Sequence, residues 1–177
     1  SVIAEFAGDV LAAHLRLARH RVAGEPAIGV HRPGSDCGPS LQIVVEDMPL
    51  LVESVTALLT RRGLNISEFV HPILAVERDE TGALTNVLTG GHESGGALES
   101  GSALESWIHV QLDRRTADSE LDGLTQAAEK VLRDVRQVVM DTDAMRALEF
   151  DVARALEDAA VGSSRSEELT DCAALLR

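Results

Sequence analysis

With 177 residues, 45% of them hydrophobic, the chain is long enough for one domain with a proper core and marginal for two. Acidic residues outnumber basic ones by 29 to 16, so the molecular field repels phosphate backbones and anionic headgroups, which argues against nucleic-acid and membrane partners. No apolar run approaches the roughly 20 residues that span a bilayer, no basic-then-apolar leader opens the sequence, and the distant Cys37 and Cys172 read as two free thiols; a cytoplasmic location is expected.

Residues 9–22 place Leu11, Leu15, Ala18 and Val22 at helical spacing with arginines between them, which predicts a short amphipathic helix within an N-terminal segment 1–26. AIGVHR (27–32) and LQIVVE (41–46) read as strands, and the turn-rich PGSDCGPS between them makes an antiparallel hairpin. From Asp47 the period becomes helical, with Leu51, Val55, Leu58, Leu59 and Arg62 on one stripe. Asp47 suits the N-cap, Pro49 is tolerated in a first turn that needs no donor, and Gly63 is the expected left-handed stop. A long strand is expected over 65–78, then the turn DETG and a returning strand over 83–88.

Residues 89–104 carry a near tandem copy, SGGALE (94–99) followed by SGSALE (100–105). Their glycines fit no dinucleotide or phosphate-loop spacing, and a solvated, mobile insertion is the reading. A strand follows over 105–114. Leu121, Leu124, Ala128, Val131, Val135, Val138 and Val139 then mark a helix from about Ser119 to Met140, and Asp141 is placed as the cap of a further one carrying Met145, Leu148, Val152, Leu156 and Ala159. The apolar pattern at the C-terminus is that of a helix leading into a longer protein.

Strand, helix, strand, strand, helix is most of a βαββαβ ferredoxin-like unit. Its last strand is missing, and the N-terminal strand 27–32 is expected to fill that place. The expected fold is therefore α+β: an antiparallel sheet ordered 27–32, 41–46, 105–113, 65–78, with helices on one face and extra C-terminal helices over 141–177. The domain proper would cover 27–140. Leu41, Ile43, Val45, Ile108, Val110 and Leu112 should underlie the helices. Val44, Phe69, His71, Ile73, Trp107 and His109, with His31, should share the other face as candidate interface residues, covered by another subunit, a neighbouring domain or the extra helices.

The run Asp47, Pro49, Leu51, Gly63, Asn65, Ile66 resembles an ACT domain, a small regulatory fold. VVEDMPLLVESVT, HPILAVERD and ESWIHVQLDR together resemble the N-terminal region of large bacterial NAD-specific glutamate dehydrogenases of actinobacterial type, best over 41–115. The resemblance implies a regulatory or oligomerisation module ahead of a catalytic region that converts L-glutamate and NAD to 2-oxoglutarate, ammonium and NADH. It implies homo-oligomers, with self-association or neighbouring domains as partners. NAD would belong to the parent; this chain has no glycine fingerprint for it, no catalytic residue and no expected cofactor.

The alternative is an independent amino-acid-sensing domain, with Asp47, Met48, Pro49, Leu50, Leu51, Asn65 and Ile66 around an amino-acid effector. Amino-acid-binding ACT domains usually have glycine where Leu50 stands, which weighs toward a capped helix start instead. His71 and His109 could begin a metal site only with further ligands that the spacing does not supply, so no metal is expected. Lys130 reads as a solvated helix lysine.

Overall fold

The computed structural model describes residues 2–88, 102–161 and 166–175. Along the chain lie α1 (Val2–Ala18), β1 (Ala27–His31), β2 (Ser40–Glu46), α2 (Leu51–Arg61), β3 (Ile66–Val70), β4 (Ile73–Arg78), β5 (Leu84–Leu88) and β6 (Ser102–Leu112). A 3-10 turn at Asp118–Leu121, α3 (Leu124–Ala160) and α4 (Ser166–Leu175) follow. Residues 1–135 form one compact unit and 136–177 a second.

All neighbouring strands are antiparallel, in the order β1-β2-β6-β4-β5, with β3 also pairing β6. The N-terminal strand does stand beside the first strand of the expected unit, with Ala27 opposite Val44 and His31 opposite Ser40. The long strand expected over 65–78 is broken at His71 and Pro72. Proline has no N–H for a ladder, and here its carbonyl accepts Trp107 N instead. β6 begins at Ser102, so the second copy of the tandem repeat is strand from there on, and its Ala103 and Leu104 pair with β4. Residues 89–101 of the expected insertion lie outside the described residues.

Leu41, Ile43, Val45, Ile108, Val110 and Leu112 are buried on one face, and their register pairs, Leu41 with Val110 and Ile43 with Ile108, confirm that they share it. The buried stripes of α2 (Leu51, Val55, Leu58, Leu59) and of the first part of α3 (Leu124, Ala128, Leu132, Val135) supply the matching apolar surface. Gly63 ends α2 as expected, at φ 73. Helices are not confined to that face: α1 lies on the other, where Gln42 Nε2 donates to Val10 O and Ala18 packs with Val44, Val76 and Trp107.

The stripe α1 buries keeps Ala18 of the expected residues and otherwise turns to Ala13 and His14. Ala13, His14 and Ala18 are buried, whereas Leu11 and Leu15 are exposed and Val22 lies beyond the helix. Two alanines let the helix approach the sheet closely, and the leucines are left beside the contact. α3 runs through Asp141 without a break, because no Gly or Pro interrupts 124–160; Asp141 accepts from Gln137 within the helix rather than capping a new one. In the second unit, Ala153 and Ala160 are buried, while Met145, Leu148 and Val152 are exposed.

Candidate functional site

Two places carry the chemistry of the first unit: the turn after β2, and the sheet face beneath α1. At the turn, α2 begins only at Leu51, and its N-cap is Leu50 at φ 69, ψ 5, with no side-chain cap bond. Asp47 is therefore not the cap. Its Oδ1 accepts from Ser106 Oγ at 2.6 Å, and Ser106 Oγ lies 2.8 Å from His71 Nε2. The serine has one proton and gives it to the carboxylate, so His71 must donate its own Nε2–H to the serine oxygen. That polarity is the reverse of a nucleophile activated by a base, and the trio acts as a clasp joining the turn, β6 and the β3–β4 break.

The sequence-predicted ligand residues do not converge within one chain. Asp47 N donates to Leu104 O, while Asp113 N donates to Asn65 O. Leu104 near the start of β6 and Asp113 just past its end are nine residues apart, roughly 30 Å along an extended chain, so Asn65 and Ile66 sit at the opposite end of the sheet from Asp47, Met48, Pro49 and Leu50. Asn65 also does not adopt a positive φ; Leu50 alone does so among the described non-glycine residues. Leu51 is buried in the core rather than open to a ligand.

The face beneath α1 keeps Val44, Trp107 and His109, but not every residue expected there. A bulge between Ile66 and Glu68 adds one residue to β3, and one residue reverses the alternation. Phe69 pairs with Val110 and Ile73 with Ser106, which puts both on the side of Ile43 and Ile108, where Ile73 is half exposed; Val70, opposite His109, and Leu74, opposite Glu105, take their places. His71 joins Ser106 and is not on the side of His109, so the two imidazoles do not share a face. Among the described residues no group of three or more His, Cys, Asp or Glu is placed to hold a metal ion.

Beneath α1, His14 stacks on Trp107 with ring centroids 5.3 Å apart and planes 18° apart, and its Nε2–H donates to Ile43 O at 3.3 Å. Gln42 is buried and links three elements: its Oε1 accepts from His31 Nε2 at 3.1 Å, and its amide donates to Val10 O and to His109 Nδ1. Burial pushes His14 down to about 4, and burial likewise lowers His109.

Deeper along β6, Glu105 is fully buried and receives Arg21 Nε and Nη2, Arg78 Nε and Nη2, and Trp107 Nε1. Burial alone would raise its carboxyl; the hydrogen bonds from Arg78 and Arg21 outweigh burial and hold it below the usual carboxylate range. Both guanidiniums are spent on Glu105 and on backbone carbonyls, so the cluster ties elements together rather than awaiting an anion.

Between α1 and the β3–β4–β5 side of the sheet runs a groove of about 660 Å³, walled by Leu11, Leu15, Val70, Leu74 and Val87 with Trp107 in its floor. Sequence reasoning missed Ser106, Glu105 with its arginines, and His14. One signal was available: a glutamate inside the buried strand ESWIHVQL requires cationic partners elsewhere in the chain. Lys130 is exposed and pairs with Asp134 one turn on. Cys37 and Cys172 are both free thiols, and burial raises the Cys37 thiol. No helix among the described residues is long and apolar enough to cross a membrane.

Comparison with known proteins gives this arrangement its family. The profile described as glutamate dehydrogenase, ACT1 domain, matches residues 4–128, from within α1 to the start of α3. An NAD-specific glutamate dehydrogenase of Mycobacterium tuberculosis is 34% identical over 170 residues, covering 95% of this chain and 10% of that protein. Proteins of the same name from Halomonas elongata and Pseudomonas aeruginosa are 36% and 32% identical over 60% and 61% of this chain, and each match covers 6% of the relative. The chain thus spans about a tenth or less of the relatives it matches, and it belongs to the glutamate dehydrogenase ACT1 domain family.

Proposed function

We propose that this chain is a non-catalytic regulatory and assembly module of a large NAD-dependent glutamate dehydrogenase, and that the groove beside α1 receives another part of the same enzyme, in the same or a neighbouring subunit. The groove carries the reading: a contiguous apolar wall with Leu11, Leu15 and Val70 exposed is costly to leave in water, and its rim offers little charge to a small polar ligand. Conversion of L-glutamate and NAD to 2-oxoglutarate, ammonium and NADH belongs to the rest of that enzyme. The residues of this module supply a surface.

The test is direct. Purified chain is expected to form no NADH from glutamate and NAD, and glutamate-dependent NADH formation by it overturns the reading. A second reading, amino-acid binding at the Asp47–Leu51 turn, draws support from the left-handed Leu50, a conformation glycine holds without strain. A thermal-shift screen of common amino acids separates the two: a concentration-dependent rise in Tm, abolished by Asp47→Ala, favours the sensor, and no shift favours the assembly module.

A further inference from the structure

The N-terminal helix is fastened to the sheet in two chemically different ways. At its C-terminal end the bonds are charge-assisted and backbone: Arg78 Nη1 donates to Ala18 O, Leu84 N to Arg19 O, Arg21 N to Gly82 O, and the side chains of Arg21 and Arg78 close on Glu105. Toward its N-terminal end the fastening is neutral: His14, 6% exposed, is stacked on Trp107 and bonded to Ile43 O, and Val10 O and Asp9 O accept from Gln42 Nε2 and Cys37 Sγ.

A positive charge at His14 keeps the Ile43 carbonyl and the Trp107 face, but no carboxylate is among the groups that act on it. β1 presents His31 and β6 presents His109, which offer no negative charge and repel an imidazolium when they are themselves protonated. β2 presents neutral Gln42. From β3 the carboxylate of Glu68 acts on His109, and on α1 itself Asp9 and Arg16, of opposite sign, flank Cys37. Glu105, the carboxylate beyond Trp107, is already held by two guanidiniums and the indole. Burial outweighs the contacts of His14, because enclosing a charge with no counter-charge among other imidazoles is unfavourable.

We propose that protonation of His14 releases residues 2–17 from the sheet and uncovers Trp107 and His109 in the groove floor, while the Arg21–Glu105–Arg78 anchor holds and serves as the hinge. The proposal concerns how α1 is docked and stands or falls independently of what the groove receives. His14 sits at about 4 when docked and returns to its ordinary 6.5 when released. Because the docked value is the lower one, docking is at full strength above 6.5 and weakens as pH falls from 6.5 toward 4. For those two values the docking equilibrium drops about 30-fold by pH 5 through His14 alone, and His109 adds in the same direction.

Hydrogen exchange of the 177-residue chain between pH 7.5 and 5, corrected for the intrinsic rate, tests this. The expected result is a loss of protection in α1 of about 30-fold while β6 stays protected. Fluorescence of Trp107, the single tryptophan, should change in the same window, and His14→Gln should flatten both responses. Protection in α1 that does not vary with pH, simultaneous loss in α1 and β6, or an unchanged decline in His14→Gln overturns it. If that variant does not fold, NMR titration of His14 in the unaltered chain decides: a midpoint clearly below 6.5 supports the proposal, and one at 6.5 overturns it.

Discussion

Leu50 holds φ 69, a conformation that brings Cβ against the backbone and costs an L-residue about 1–2 kcal/mol. Glycine escapes that cost but loses about 0.5–1 kcal/mol in chain entropy, so Leu50→Gly is expected to stabilise by up to about 1 kcal/mol, a rise in Tm of about 2–4 °C. A fall in Tm in calorimetry would mean that the half-exposed leucine packs against something this turn needs. Glu105→Gln should act in the opposite direction and more strongly. It leaves Arg21 and Arg78 with an uncompensated buried charge, at about 3–5 kcal/mol in denaturant unfolding. The carboxyl of Glu105 lies below its ordinary value in the fold, so its contribution is complete above about 4.5 and is lost as pH falls below that; the Gln variant should lack this acid limb. Single residues were legible in sequence where their role is local, as with Gly63 ending α2. Ser106 and Glu105 act on residues 59 and 84 positions away, and no local pattern announces such partners.

Among the elements, β1, β2 and α2 were readable because alternation and helical period follow directly from which side chains face the core. β3 was not, since Ser67 carries no mark of a bulge and yet reverses the side on which Phe69 and Val70 stand. This gives a paired test. Phe69→Ala should cost about 2 kcal/mol because it empties the helix-covered face, and Val70→Ala less than about 1 kcal/mol because it borders the open groove. Equal costs in chemical denaturation would place the bulge elsewhere. The rotation of α1 was hidden for a related reason: His14 reads as polar and the leucines as core, whereas stacking on Trp107 and the small alanines decide which side goes down. The division of 124–160 into two helices at Asp141 mistook a residue able to cap for one that does. With no Gly or Pro nearby, nothing stops the helix there.

For the molecule as a whole, the net charge of −13 sets two copies of this chain against each other at low salt, so any self-association through the groove should strengthen as salt screens that repulsion. A covalent neighbour in the same polypeptide does not face that entropic and electrostatic cost in full, and relatives about ten times longer supply one. The central claim is that the groove beside α1 is an assembly surface of a larger enzyme. It is tested most directly by placing a photo-cross-linking residue at Leu11 in the complete protein that carries this chain, and mapping the products by mass spectrometry. The account predicts efficient cross-links to peptides outside this module or to a second subunit, lost when Val70 is changed to Asp. Position 11 remaining free and solvent-accessible in an assembled, glutamate-oxidising enzyme would contradict it.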